Sequence, residues 1–220
     1  MAGETKNKIL AEALALFAKN GYLGTSMSDL ANRLHLTKGA LYRHFSGKQE
    51  ILDQILCRMQ ETDAERAEAY GMPLAEPEDA ANVYLHTPVE TIRAYSIAQF
   101  RHWTEEPFAA DFRRMLTLEQ YRDPKMMALY QAYLATGPLT YMAAVFRCAP
   151  DFAGDAMQLA MTFYGPMFLL YSAYDAAEGD AEAKKEVFAR LEAHIDRFIR
   201  QFSGQTTEHT QICVQRSTEQ

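Results

Sequence analysis

The hydrophobic positions of this chain recur at helical spacing almost from end to end, and strand-like alternation never runs for more than a few residues. The first apolar face consists of Ile9, Ala13, Leu16 and Phe17. We predict a helix from about Thr5 to Asn20, after which Gly21 supplies a left-handed stop. The pattern as a whole predicts an all-α protein.

Short polar motifs mark the starts of three further helices near the N-terminus. Ser26 followed by Asp29 has the spacing of a capping box. Thr37 can cap a third helix, and Ser46 followed by Gln49 repeats the capping-box pattern before a longer fourth helix. Because only about three residues separate the second and third helices, the pair has the connection length of a helix-turn-helix.

Proline marks helix boundaries in the rest of the chain, since its fixed φ suits the first helical turn. The predicted boundaries lie at Thr87-Pro88, Asp123-Pro124, Gly137-Pro138 and Pro150-Asp151. Gly165-Pro166 lies inside a long apolar segment, where proline removes an amide donor and is predicted to kink the helix.

The charge is unevenly distributed, and this changes the expected partner. The net charge is −7, but residues 1–59 hold eight Lys and Arg against five Asp and Glu, a balance of +3 that leaves −10 for the remainder. A basic head on an acidic body indicates that only the head faces a polyanion.

No segment has the apolar length of a membrane span or the layout of a signal peptide, so we expect a cytoplasmic protein without membrane partners. Cys57, Cys148 and Cys213 are far apart and odd in number, which favours reduced thiols over a disulfide framework or a metal site. No cofactor is predicted.

The third helix carries many hydrogen-bond donors for its length. Leu41 and Phe45 can anchor its inner face, whereas the other faces hold Lys38, Gly39, Tyr42 and Arg43. A glycine inside a helix costs roughly 1 kcal/mol relative to alanine, so Gly39 requires a reason. Close approach of the backbone to a DNA groove would supply one.

The run from Gly21 to Leu52, GYLGTSMSDLANRLHLTKGALYRHFSGKQEIL, resembles the DNA-binding domain of the TetR (tetracycline repressor) family of bacterial transcriptional regulators. The similarity extends from about Ile9 to Leu56. Its specific elements are Gly21-Tyr22, Thr25-Ser26, Leu30-Ala31 and the spaced residues of the run from Gly39 to Lys48.

This resemblance implies an N-terminal three-helix helix-turn-helix DNA-binding domain over residues 1–50. A fourth helix to about residue 70 would link it to a larger all-helical ligand-binding and dimerisation domain over 51–202, with a disordered tail over 203–220. The implied DNA contacts are Thr25, Ser26, Ser28, Thr37, Lys38, Gly39, Ala40, Tyr42, Arg43, His44 and Lys48. Lys48 is expected to hold a backbone phosphate, while either Arg43 or Lys38 could read guanine.

Residues 95–174 hold 16 of the 25 aromatic residues and 7 of the 11 methionines. From the residues alone, this concentration of aromatic and methionine side chains forms either a packed core or the wall of an adaptable cavity. The resemblance implies an effector pocket, for which the candidates are Phe100, Trp103, Phe112, Met115, Tyr121, Met126, Met127, Tyr130, Tyr133, Tyr141 and Tyr164. Arg101, Arg113, Arg114 and Arg122 could favour an acidic ligand, although surface or ion-paired roles explain them better.

The last two long segments carry apolar stripes that the family would use in a four-helix dimer interface. The candidates are Met157, Ala160, Phe163, Met167, Tyr171, Val187, Leu191, Ile195 and Phe198. A helix-turn-helix protein usually binds two half-sites as a dimer, so we expect a homodimer on a double-stranded, palindromic operator.

The expected function is that of a sequence-specific transcriptional regulator, a repressor released from its operator when a small apolar or aromatic effector binds the C-terminal domain. The alternative is a metal-responsive or ligand-activated regulator of the same fold, with His102, Glu105 and Glu106 clustered and with His86 and His194 elsewhere. The sequence has no G-x-S-x-G or H-E-x-x-H motif, so we do not expect an enzyme.

Overall fold

The computed structural model describes residues 2–73, 75–149 and 152–217, with side chains from 4 to 201 outside the same gaps. These residues form eleven α-helices and no strand. The helices are α1 (Ala2–Asn20), α2 (Met27–Arg33), α3 (Lys38–Tyr42), α4 (Lys48–Ala69), α5 (Pro77–His86), α6 (Val89–Glu105), α7 (Pro107–Glu119), α8 (Pro124–Leu134), α9 (Thr136–Arg147), α10 (Ala156–Ala176) and α11 (Ala181–Ser217). The predicted all-α class is confirmed.

The caps of the N-terminal helices follow the local sequence. Gly21 has φ +83° directly after α1, the left-handed conformation that favours glycine. The Ser26 hydroxyl accepts the amide of Asp29, and the Asp29 carboxylate accepts the amide of Ser26 at 2.8 Å, which completes the predicted capping box. Thr37 Oγ1 accepts the amide of Ala40 at 3.1 Å and caps α3 as predicted.

Two predicted capping motifs, at α4 and α6, do not cap their helices. Ser46 pairs with the carboxylate of Glu50, which accepts both its amide and its hydroxyl, and not with Gln49. Before α6, the Thr87 hydroxyl donates to the carbonyl of Val83 in the preceding helix and caps nothing.

Helix α10 begins after Asp155, whose carboxylate accepts the amides of Met157 and Gln158. The predicted start at residues 150 and 151 lies outside the described residues. Asp123 caps α8 as its Asp-Pro motif predicts, with Pro124 in the first turn. At both α8 and α10 an aspartate carboxylate accepts two amides of the first turn, which have no partner within the helix.

The N-terminal helices and the body share one hydrophobic core. Helix α1 packs along α7, so that Leu14 and Phe17 belong to the same buried cluster as Phe112 and Met115. A second cluster joins α5, α9 and α10, and a third joins α6, α10 and α11. The head is therefore held on the body by apolar packing as well as by the chain connection through α4.

Two further expectations concern α10 and α11. Pro166 lies inside α10 without ending the helix. Helix α11 runs to Ser217 and so includes residues for which a disordered tail is expected from residue 203. Residues 218–220 of the predicted tail lie outside the described part.

Candidate nucleic-acid interface and ligand cavity

Helix α3 presents a polar, solvent-facing surface on an apolar anchor. Leu41 and Phe45 are fully buried, whereas 51% of Tyr42 is exposed and Lys38 and Arg43 lie at the surface. A Cβ atom added to Gly39 would meet no heavy atom within 4 Å. Since packing does not require a glycine there, the open space beside its backbone is free for an approaching partner.

Two predicted DNA contacts are used inside the head. Thr25 is buried, and its hydroxyl donates to the carbonyl of Gly21 at 2.8 Å. Lys48 Nζ donates to the carbonyls of Tyr22, at 2.5 Å, and Thr25, at 2.8 Å, and lies 4.4 Å from the centre of the Tyr22 ring. Burial lowers the pKa of Lys48. With two of its three N–H groups engaged, Lys48 fixes the turn before α2 and can offer at most one hydrogen to a phosphate.

The remaining head candidates divide between caps and surface. The hydroxyls of Ser26 and Thr37 are engaged as helix caps, and Ser28, Ala40 and His44 are partly buried beside the exposed α3 residues. The structure thus brings all the predicted head residues to the two helices of the helix-turn-helix and the turns around them. Lys38, Gly39, Tyr42 and Arg43 are the most exposed group among them that carries free donors or open backbone.

The body encloses an aromatic cavity of about 570 Å³, which is within the range of small-molecule sites. It lies where the three hydrophobic clusters meet and is lined by α4, α5, α6, α8, α9, α10 and α11. Its aromatic lining consists of Tyr84, Tyr95, Trp103, Tyr133, Tyr141, Phe146, Phe163, Tyr164, Phe168, Tyr171 and Phe198.

Four predicted pocket residues line this cavity, and seven do not. The four are Trp103, Tyr133, Tyr141 and Tyr164. Phe100, Phe112, Met115 and Met126 are buried in the closed core, 85% of Tyr121 is exposed, and Met127 and Tyr130 lie outside the lining. Composition marks a region rich in apolar side chains, but only the helix rotations decide which of them face the cavity.

Several lining residues were missed by sequence reasoning. Tyr84 and Tyr95 lie on α5 and α6, at or before the edge of the aromatic-rich region, and Asp63 lies on α4. A tyrosine on a helix that is otherwise short of large apolar residues was the available signal for Tyr84. No local pattern distinguishes Asp63 from the other acids of α4.

A polar cluster beside the cavity is contributed by α4, α6 and Glu106 directly after α6, and it reaches the lining through Asp63 and Gln99. Arg66 on α4 donates to Glu106, at 3.1 Å, and to the side chain of Gln99, at 3.0 Å. His102 Nδ1 lies 2.7 Å from a carboxylate oxygen of Glu106. His102 Nε2 lies 3.5 Å from Asp63 Oδ1, and both atoms are buried without a hydrogen-bond partner. Arg66 Nε is also buried without a partner, so the cluster contains three unsatisfied atoms, of which Asp63 Oδ1 and His102 Nε2 face each other.

Burial controls the protonation of this wall. Desolvation raises the pKa of Asp63 to about 6, against the opposing effect of the Arg66 charge. Desolvation, reinforced by Arg66, lowers the pKa of His102, so the neutral imidazole is favoured at neutral pH. Burial also raises the pKa of the cavity tyrosines Tyr164 and Tyr171, which stay protonated.

The N-terminal head is similar in sequence to known regulatory proteins. A family model described as "Bacterial regulatory proteins, tetR family" matches residues 9–55. The biofilm operon icaADBC HTH-type negative transcriptional regulator IcaR of Staphylococcus aureus (strain Newman) is 41% identical over 49 residues. That alignment covers 22% of this chain and 26% of IcaR, so the similarity to this curated relative is confined to the N-terminal head.

Solved structures extend the comparison to the body. A TetR transcriptional regulator from Chloroflexus aurantiacus J-10-FL superimposes with a TM-score of 0.60 at 21% identity, covering 89% of this chain and 96% of the other. AibR in complex with isovaleryl coenzyme A and operator DNA gives a TM-score of 0.59 at 20% identity, covering 85% and 95%. At these identities the structures show a shared fold. The head of the chain belongs to the TetR family.

Most of the predicted dimer-interface residues lie inside the protomer. Ala160, Leu191 and Ile195 are fully buried, Met167 and Val187 are nearly so, and Phe163, Tyr171 and Phe198 line the cavity. Only Met157 is left partly exposed outside the cavity lining, and it packs against the second cluster. A side chain that is already buried within one chain has no surface to offer a partner, so these stripes form the internal core of the two helices.

The outward face of α10 is different in character. Met161, Gly165, Leu169, Ala173 and Ala176 follow one another at helical spacing and are all exposed, with Leu169 at 73%. We call these five residues the α10 outer stripe. A largely apolar stripe of this kind on a surface helix is unusual and marks a surface suited to a protein partner.

The four arginines considered for an acidic ligand are all ion-paired, and none lines the cavity. Arg113 and Arg114 both bind Asp175, Arg101 pairs with Glu105, and Arg122 lies 3.6 Å from Glu119. No group of three or more metal-ligating side chains was identified in the described part of the chain. No described helix has the length and apolarity to cross a membrane.

Proposed function

We propose that this TetR-family chain is a ligand-controlled transcriptional repressor that acts as a homodimer in the cytoplasm. Its α3 helices bind two half-sites of a near-palindromic operator, and a small apolar or aromatic effector in the body cavity releases the DNA. The main observation behind this proposal is that α4 belongs to both the DNA-binding head and the cavity lining. The helix begins at Lys48 in the head and, about four turns later, lines the cavity through Asp63.

The named relatives support the parts of this proposal separately. IcaR, similar to the head, is a negative transcriptional regulator. AibR, similar in fold over most of the chain, has been solved with both isovaleryl coenzyme A and operator DNA. Negative regulation, in IcaR, and binding of both a small molecule and operator DNA, in AibR, are therefore represented among the proteins that this chain resembles.

The mechanism follows from the position of α4. An effector that fits the cavity best when α4 is displaced favours that arrangement of the head, and the two heads of a dimer then no longer match the half-site spacing. The shift requires the effector to prefer the non-binding geometry. An effector that preferred the DNA-binding geometry would make the same architecture a ligand-activated regulator.

We infer that the dimer forms through the α10 outer stripe. The stripe is exposed, mostly apolar or small, and runs from Met161 to Ala176, a length of about 22 Å at the helical rise. Small residues at Gly165, Ala173 and Ala176 allow close approach of a second helix. An isologous pair of such helices is the arrangement that a two-fold operator requires.

The first experiment is selection of binding sites from random double-stranded DNA with the purified full-length protein, followed by sequencing. A palindromic consensus supports dimeric, sequence-specific binding, whereas no enrichment at low salt would contradict the proposal. The selected site then serves as the probe for measuring release by candidate effectors.

Variants of α3 test which surface makes the contact. Arg43→Ala and Lys38→Ala should each weaken binding to the selected site and reduce its salt dependence if they contact phosphate. If one of them reads guanine, sequence preference should relax at one position and cost about 1–3 kcal/mol. Arg190→Ala on α11, an exposed cation paired with Glu186, is the matched control and should leave both quantities unchanged.

A further inference from the structure

We propose that the cavity selects a protonated amine, an organic cation with at least one N–H group and an aromatic or apolar body, and that Asp63 and His102 bind the N–H group. This rests on the proposed function, because it names the chemical class of the effector for the same cavity. Three independent features of the polar wall and the lining lead to it.

The first feature is the pair of facing acceptors. The ionised Glu106 carboxylate can only accept a hydrogen bond, so the 2.7 Å contact requires His102 Nδ1 to carry the hydrogen. The neutral ring then presents a lone pair at Nε2. This atom lies 3.5 Å from Asp63 Oδ1, and neither atom has a donor in the described residues. Asp63 lines the cavity and His102 lies behind it, so one N–H donor group that enters from the cavity beside Asp63 can bridge the two acceptors.

The second feature is the charge of the wall. Arg66 carries the one guanidinium of the cluster and is engaged by Glu106, Gln99 and the carbonyl of Ala98. One positive charge against the carboxylates of Asp63 and Glu106 leaves a single negative charge in excess. Among the described residues of the cavity lining, Asp63 is the only side chain with a formal charge at neutral pH. An anionic ligand would add to this negative charge, whereas an ammonium group would neutralise it.

The third feature is the aromatic lining itself. Trp103 and Tyr95 lie on α6 with Gln99 between them, on the same helix as His102. Aromatic faces attract cations through their quadrupole, and this attraction grows when water is excluded. The cavity therefore offers aromatic surface for the ligand body and a carboxylate at one wall for the charge.

The position of Asp63 connects this recognition to control. Asp63 lies on α4 and His102 on α6, so a bridging ammonium ties the helix that begins in the head to a helix of the body. A neutral ligand of the same shape fills the cavity without the charged contact that connects α4 to α6. The proposal thus places the control contact at α4 itself.

The test uses one ligand skeleton with four head groups, measured by calorimetry on the full chain. The phenylbutyl series comprises the primary amine, the trimethylammonium salt, the alcohol and the carboxylate, and the phenylethyl and phenylhexyl amines check the fit of length. We expect the primary amine to bind about ten- to a hundred-fold more tightly than the alcohol, since hydrogen bonds to charged groups are the stronger class. The trimethylammonium salt, which has charge but no N–H, should bind more weakly than the amine, and the carboxylate weakest.

Asp63→Asn is the deciding variant, because it keeps the size of the side chain and removes its charge. It should reduce the affinity for the primary amine by about ten-fold or more while leaving the alcohol unchanged. Glu65→Gln makes the same charge change at an exposed position two residues along α4 and should leave all affinities unchanged. Melting curves of both variants confirm that each is folded.

The outcomes separate this inference from the proposed function. If the alcohol or the carboxylate binds as tightly as the amine, or if Asp63→Asn leaves amine affinity unchanged, the ammonium site is refuted and an effector cavity remains. Equal binding of the trimethylammonium salt would refute the bridging N–H contact. If none of these ligands binds at any length, the amine assignment fails, whereas a failure of operator selection would count against the proposed function alone.

Discussion

The contact between the head and the body at Gly21 can be measured by adding one methyl group. Gly21 has φ +83°, and a Cβ placed there would lie 2.1 Å from a carboxylate oxygen of Glu119 at the end of α7. Glu119 is fully buried, so the carboxylate has no solvent to move into. Gly21→Ala therefore introduces both backbone strain and an overlap with the body.

The two effects can be separated by a second glycine. A left-handed alanine costs roughly 1–2 kcal/mol through its backbone alone. Gly179 has nearly the same φ, +81°, but a Cβ there would meet no atom within 4 Å. Gly179→Ala should therefore cost only this backbone amount, whereas Gly21→Ala should cost about 1–3 kcal/mol more, the usual penalty for overpacking a filled site.

Urea unfolding of the wild type and both variants measures the free energy of unfolding that each substitution costs. Thermal unfolding is a second measurement, in which 1 kcal/mol corresponds to a shift of about 2–4 °C in the melting temperature for a chain of this size. In a double-mutant cycle, Glu119→Ala should remove the extra cost of Gly21→Ala and leave the backbone part. Equal destabilisation by Gly21→Ala and Gly179→Ala would refute the packing of α7 against the head at this point.

Three further predictions concern charge and assembly. The raised pKa of Asp63 makes the wild-type free energy of unfolding fall as pH rises from 3.8 to about 6, because the buried carboxyl must then ionise. Asp63→Asn removes this cost, so it should stabilise the protein by up to about 3 kcal/mol above pH 6 and should have no such effect below about pH 4. Urea unfolding at pH 4 and pH 8 checks this. Asp175→Ala should cost about 3–5 kcal/mol in the same assay, since it leaves the buried guanidinium of Arg113 without its two 2.8 Å bonds, and a neutral result would contradict the ion pair. Leu169→Asp should convert the homodimer to a monomer in sedimentation experiments while Tyr121→Asp, at an exposed position outside α10, does not; a monomeric wild type would disprove the dimer.

Helix identity and the head architecture could be predicted from local sequence because they depend on short-range interactions. Ser26, Asp29 and Thr37 cap helices through atoms only three residues apart, and Gly21 adopts a backbone conformation that its own lack of a Cβ permits. These preferences act before any tertiary contact forms. The choice of Glu50 over Gln49 was missed because both lie within reach of Ser46, and spacing alone does not rank two acceptors.

The functional surfaces depended on information that no local pattern contains. The aromatic-rich segment was identified as a whole, but Phe112 and Tyr133 differ in role because α7 turns the first into the core while α8 turns the second toward the cavity. The stripes predicted for dimerisation were apolar because they form the protomer's own core, and periodicity cannot tell an internal face from an external one.

The sequence by itself determined the all-α class, the helix-turn-helix and its exposed third helix, since capping, helical period and glycine conformation are properties of neighbouring residues. Only the tertiary structure decided which distant residues meet. Lys48 donates hydrogen bonds to two carbonyls of its own head, Asp63 lies beside His102 next to the cavity, and Glu119 lies against Gly21. The partners in these pairs are 23 to 98 positions apart in the chain. Their meeting is set by how whole helices pack, and that packing is a collective result of the core.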